Sequence, residues 1–349
     1  MDSAKSAAAA VGNAEKRLQD RLTLLWHEIH PWQQDNHYIQ SGYRPASYSY
    51  SKSAKSLFYL HNETVNVYTH LLGALVAVFG SYALYASLGP RYDTAAHEDV
   101  VMFACFFLGA TVCLGMSATF HLTSNHSPRV QSFGNKLDYM GIVFLIWGSF
   151  IPSVYYGLLE HPSHVRFYWI MITTNSIACA IAAVSDKFRS PAFRPIRAAM
   201  FVGLGLSAIF PVMSGLNLYG LGALRERIAL DWLVAHGLMY IIGAAIYAAR
   251  FPERIWPGRF DIWGSSHQIF HVLVLCAAAT HLVGLIKAFD FQHSQPYVQS
   301  DRLHLLEMPW STPSTGASGR LAAAIAQSAH EEAEMAALGQ MEAAVGHGS

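Results

Sequence analysis

Three histidines and one aspartate are the residues of this 349-residue chain whose types and spacing could do chemistry: His121, the pair His267 and His271, and Asp138. His267 and His271 are four positions apart, so on a helix they stack on one face and can offer two imidazoles to one metal ion. Alone, such a pair reads as well as packing or hydrogen bonding. A third imidazole would fill three of the four positions of a catalytic zinc, leaving the fourth for water and a carboxylate nearby to move protons. Other metal chemistries fit less well. No His-Glu-x-x-His occurs, the several histidine boxes of a membrane di-iron enzyme are missing, and no cysteine lies near these positions for a thiolate site. Lys287 falls at the end of an apolar stretch instead of its middle, which argues against a retinal Schiff base.

Whether the four residues can meet depends on the elements that carry them. Asp, Glu, Lys and Arg make up 13% of the chain, where about 25% is usual in a soluble protein. Seven stretches of 18 or more residues contain none of them. They lie between Glu63 and Arg91, Asp99 and Arg129, Asp138 and Glu160, Arg166 and Asp186, Arg197 and Arg225, Asp231 and Arg250, and Asp261 and Lys287. Each is long enough to cross a hydrocarbon core as a helix, so the expected fold is all-α, a bundle of seven transmembrane helices. That excludes a soluble enzyme, a nucleic-acid binder, a disulfide scaffold and a disordered hub. The windows are continuously apolar and do not alternate, which speaks against a β-barrel. Cys105, Cys113, Cys179 and Cys276 all fall inside these windows and read as packing residues. Ala7 to Val11 is too short for the apolar core of a secretory signal, so the first span is expected to act as its own insertion signal.

Basic residues orient the bundle. The N-terminal tail and the alternate loops on its side carry 16 Lys and Arg against 7 on the other side, which predicts a cytosolic N-terminus. The second span then ends at the cytosolic face with His121, and the seventh begins there with His267 and His271. Asp138 opens the third span at the same depth, as Arg197 opens the fifth, and Tyr247 stands near the end of the sixth. Three histidines and a carboxylate at one depth point to an intramembrane zinc site. The zinc is either catalytic or a structural pin with Asp138 as an outer hydrogen-bond acceptor.

The expected organisation is a cytosolic segment over residues 1–60, a membrane domain over 61–290, and an extracytosolic tail over 291–349 that is partly disordered. Aromatic residues from Trp26 to Tyr50 suggest that part of the first segment folds against the membrane face. Pro152 and Pro211 fall inside the third and fifth windows, where they are expected to kink a helix, as ordinary packing or to open a cavity. His236 and His281 lie away from the cytosolic end and read as interhelical hydrogen-bonding groups.

Several segments together carry a resemblance. Asp35-Asn-His-Tyr-Ile-Gln-Ser-Gly-Tyr-Arg-Pro45, His61-Asn-Glu-Thr-Val-Asn-Val-Tyr-Thr-His-Leu-Leu-Gly73, Ser117-x-x-x-His121, Leu137-Asp-Tyr-Met-Gly-Ile142 and His267-x-x-x-His271-x-Leu resemble the progestin and adipoQ receptor family over roughly residues 30–290. Within it they are most similar to the adiponectin receptors and the fungal, haemolysin-III-related proteins of zinc homeostasis. The resemblance implies Zn2+ on the residues matching His121, His267 and His271, with Asp138 near the zinc-bound water and Ser117 one turn before the first ligand. It implies hydrolysis of a ceramide-like lipid amide in a cavity open to the membrane, with Tyr139, Arg197 and Tyr247 against the lipid. A signalling receptor with a structural zinc and an extracellular ligand, or a regulator of zinc without hydrolase activity, are the other functions open to such a chain. The expected location is the plasma membrane or the endoplasmic reticulum.

Overall fold

In an apolar surrounding no water accepts backbone N–H and C=O groups, so a spanning segment must pair them internally as a helix. The computed structural model describes residues 22–88, 95–185 and 191–294, where structure beyond helices and turns is limited to one isolated antiparallel bridge. A short helix α1 (Tyr50–Lys55) is followed by α2 (Thr64–Leu88), α3 (His97–Thr123), α4 (Pro128–Leu158) and α5 (Pro162–Ala183). Then come α6 (Arg194–Leu206), α7 (Ile209–Arg227), α8 (Leu230–Ala249) and α9 (Ser266–Ser294). Among the described residues seven segments are long and apolar enough to cross a membrane, α6 and α7 together forming the fifth. Apolar side chains such as Phe79, Ile170, Ile181 and Ile242 face outward, as a lipid-exposed surface requires. The chain is an all-α, multi-pass integral membrane protein. Residues 1–21 and those after Ser294, including nearly all of the expected C-terminal tail, lie outside the described residues.

The two prolines behave differently. Pro152 lies within α4, which continues through it to Leu158. The fifth span breaks ahead of Pro211, at Ser207 and Ala208, and Pro211 sits in the first turn of α7, where its missing N–H would have had no helical partner.

Close packing of α3 on α4 fixes half of the site. A Cβ at Gly141 would stand 2.8 Å from the Cys113 Cα, and one at Gly109 would stand 2.7 Å from the Phe144 carbonyl oxygen. Small residues let the two backbones approach. Asp138, at the start of the apolar part of α4, is thereby set against Ser117 and His121 near the end of α3.

The segment before α2 is a folded cap over the end of the bundle that carries the histidines. Leu24 and Tyr43 pair through backbone hydrogen bonds of 2.6 and 3.1 Å, and Leu24, Ile29, Ile39 and Tyr43 form a small core with Trp26. Arg44 is buried beneath it, and its guanidinium donates to the carbonyls of His121 (2.6 Å) and Leu122 (2.8 Å) in the last turn of α3. Those carbonyls have no helical partner of their own. At the opposite helix of the site, the fully buried Glu253 accepts from the Ser266 N–H (2.8 Å) and from its hydroxyl, capping the start of α9 one residue before His267. Both histidine-bearing helix ends are thus held by buried charges from neighbouring segments.

Candidate metal centre and its cavity

His121, His267 and His271 come together, with one ligand atom from each lying within 4.8 Å of the others. Their ring centroids form a nearly equilateral triangle, 4.8 to 4.9 Å on a side, and each pair of rings meets edge to face. His121 Nδ1 lies 2.7 Å from Glu63 Oε2, so the carboxylate accepts the Nδ1 proton and leaves Nε2 as an acceptor. That Nε2 is buried and has no hydrogen-bond partner. An orphaned imidazole nitrogen among two other imidazoles fits a cation, and three neutral histidines suit zinc. A carboxylate on the far nitrogen of a ligand histidine fixes the tautomer and makes the ligand more basic.

Glu63 and His70, which in the sequence alone suggest no more than packing hydrogen bonds, also join the site. Glu63 immediately precedes α2 and His70 lies within it, and Glu63, Asn66 and His70 recur at helical spacing on one face; that periodicity is the signal that could have found them. Asn66 donates to Glu63 Oε2 at 2.7 Å. The His70 ring stacks flat on His271, 3.6 Å between centroids, and its Nδ1 lies 2.8 Å from Ser117 Oγ. Ser117 therefore stands between His70 and Asp138, both buried.

The remaining predicted residues surround the triad. The Tyr247 ring is 5.0 Å from that of His267, and the Arg197 guanidinium lies 5.1 Å over the Tyr139 ring. Arg194, which sequence reasoning used only to orient the chain, lies 4.8 Å over Tyr247 and is ion-paired with Asp35 of the cap. Burial would raise the Asp35 pKa, but Arg194 and Arg250 hold it below the ordinary carboxylate value.

All eight predicted site residues line one cavity of about 800 Å³ that runs from the cap, past the triad, between α4, α7, α8 and α9. Its far reaches are apolar, lined by Leu158, Leu224, Ile228 and Leu285. His281 contacts Ser149 and Ser153 across helices as expected, whereas the hydrogen bond of His236 is to Trp232 of its own helix. The ring that His236 faces on the neighbouring helix is that of His281, 4.5 Å away.

Fold and site define a multi-pass helical membrane protein with a buried histidine cluster able to hold a metal at the end of an intramembrane cavity. The chain belongs to the haemolysin-III-related, or progestin and adipoQ receptor, family, which matches residues 58–282. It is 44% identical over 285 residues to the ADIPOR-like receptor IZH2 of Saccharomyces cerevisiae, covering 82% of this chain and 89% of that protein. It is 40% identical over 286 residues to the adiponectin receptor protein of Drosophila melanogaster, covering 79% of this chain and 64% of that protein. It is also 40% identical over 275 residues to progestin and adipoQ receptor-like protein 1 of Caenorhabditis elegans, covering 78% and 63%.

Proposed function

We propose that this protein is a zinc-dependent hydrolase of ceramide-like lipid amides, releasing a fatty acid and a sphingoid base, with its N-terminus in the cytosol of a plasma-membrane or endoplasmic-reticulum protein. The observation that carries this reading is the position of Asp138: a buried carboxylate beside the histidine triad, on the wall of a cavity of about 800 Å³ with an apolar lining suited to a lipid chain. A pure structural pin needs neither. Zinc on His121, His267 and His271 would polarise the amide carbonyl and bring the pKa of a bound water toward neutrality. Asp138 then accepts the proton of the attacking water and returns it to the leaving amine nitrogen. Ser117, held by His70, keeps the Asp138 carboxylate in place. Tyr139, Arg197 and Tyr247 contact the polar head of the lipid, with the acyl chain in the apolar part of the cavity.

The second reading, a receptor that responds to an extracellular ligand with zinc as a pin, is favoured by the way Glu63 and the triad tie the start of α2 to α3 and α9. It also accords with the word receptor in the names of the relatives. Fatty-acid release from ceramide by the purified protein in nanodiscs separates the two. Asp138→Asn should keep its zinc and lose release by about 10²-fold or more. Release equal in the variant, or none from zinc-loaded wild type, would leave the receptor reading standing.

A further inference from the structure

Beyond the triad the cavity turns polar a second time. His281 is buried, and its Nε2 lies 3.2 Å from the Ser149 carbonyl and 3.5 Å from Ser153 Oγ, both on α4. His236 of α8 sets its ring 4.5 Å from that of His281, with Nδ1 3.4 Å from the Trp232 carbonyl. One turn closer to the triad, the Tyr240 hydroxyl is buried with no hydrogen-bond partner. His236, Tyr240, Ser153 and His281 all line the cavity.

A carbonyl can only accept, so the nitrogens facing Ser149 and Trp232 carry the ring protons. In neutral rings His281 Nδ1 and His236 Nε2 are then acceptors. The place therefore presents two acceptor nitrogens and an unsatisfied hydroxyl. A plain hydrocarbon chain filling it would strip these atoms of water and give nothing back, which is unfavourable. A ligand hydroxyl answers them, donating to an imidazole nitrogen and accepting from Tyr240.

Its depth is set by the helices. His271 and His281 are ten residues apart on α9, about 15 Å at 1.5 Å per residue, and Tyr247 and His236 are eleven apart on α8. An extended chain advances roughly 1.2 Å per bond, so 15 Å is about a dozen carbons. We propose that this second polar subsite selects acyl chains bearing a hydroxyl about twelve carbons from the carbonyl carbon. The proposal rests on the hydrolase reading for placing the chain's carbonyl end at the triad, but recognition needs no catalysis.

The test is equilibrium displacement of a fluorescent fatty acid from the zinc-loaded full chain in nanodiscs, by octadecanoic acid and its positional series of monohydroxy derivatives. The isomer hydroxylated near the twelfth carbon should bind about fivefold tighter than the unsubstituted acid, the increment of one net hydrogen bond. Tyr240→Phe and His281→Leu, at unchanged zinc content, should abolish that preference, with the plain acid bound at least as tightly as by the wild type because the unanswered polar atom is gone. Should His281→Leu fail to fold, Tyr240→Phe decides alone. A flat series, a peak at another position, or a preference that survives Tyr240→Phe overturns the subsite. Ceramide release is read separately: a positional preference without release removes the hydrolase and keeps the subsite, while release with a flat series does the reverse.

Discussion

The bundle has a buried histidine paired to a carboxylate at each end, and the two pairs do different things. At one end His121 of α3 meets Glu63 at 2.7 Å, beside His267 and His271 of α9. At the other, His293 of α9 meets Asp99 of α3 at 3.1 Å. The spacing is the same on both helices: Asp99 to His121 and His271 to His293 are each 22 residues, about 33 Å, close to the thickness of a hydrocarbon core. At the far end both Asp99 oxygens are committed, Oδ1 to the Tyr156 hydroxyl (3.0 Å) and Oδ2 to the Ala96 N–H (2.9 Å) and His293. Neither Asp99 nor His293 lines the cavity. At the triad the carboxylate occupies only one edge of His121 and leaves Nε2 unpartnered. The same residue types form a clasp where both carboxylate oxygens are answered and a candidate metal centre where His121 Nε2 and His271 Nδ1 are not.

The largest expected effect breaks this comparison directly. His271→Ala should weaken zinc by more than about 100-fold, since losing a ligand exceeds the loss of an outer partner, while His293→Gln should retain full zinc content by elemental analysis. Equal loss from both would erase the distinction between the ends. Glu63→Gln comes next: it keeps a hydrogen-bond acceptor but removes the charge behind His121, and should weaken zinc about 10- to 100-fold in a chelator competition. Unaltered affinity would make Glu63 a packing residue. Asp99→Asn tests the clasp, with an expected loss of about 1–3 kcal/mol in unfolding stability and no change in zinc stoichiometry. A variant as stable as the wild type would deny the far end its clasping role.

Much of this was readable in the sequence, and the limits have physical causes. Charge-free windows identified seven spans because the cost of a charge in hydrocarbon acts on each residue singly. His121, His267, His271 and Asp138 were found because loop charges put them at one depth, and depth was enough to suggest contact. Glu63, with Asn62, Asn66 and His70, read only as packing hydrogen bonds at the start of the first span, because nothing in the local sequence shows that its carboxylate reaches His121, 58 residues away. Arg44 and Arg194 were counted only as orienting charges. Their burial under the cap depends on how residues 22–62 fold back, and turns such as the one at Gly42, with φ +80° and a Cβ position 2.5 Å from Ile262, depend on contacts more than 200 residues away. The clasp was missed because Asp99 lies at a window edge, where charges are expected, and His293 lies six residues past the seventh window, in what was expected to be the C-terminal tail, whereas α9 runs on to Ser294.

The cap also distinguishes the two ends in acid, through His61. This residue is buried at the start of α2, and its Nδ1 accepts the Glu63 N–H at 3.1 Å. Burial first, and the Arg44 charge second, pull its pKa from the ordinary 6.5 to about 3. Between those values the unfolded chain binds a proton that the folded chain refuses. The contribution of His61 is therefore intact above pH 6.5 and declines as the pH falls toward 3, by about 1 kcal/mol for each pH unit. A protonated Nδ1 can no longer accept from Glu63, so acid loosens the residue that backs the His121 ligand. His61→Asn supplies an acceptor oxygen that does not titrate in this range. The unfolding midpoint of the variant should fall less steeply than that of the wild type between pH 6 and pH 4, a window inside the span of the two values. Parallel slopes would mean that acid sensitivity arises elsewhere and that the cap does not set the histidine end apart.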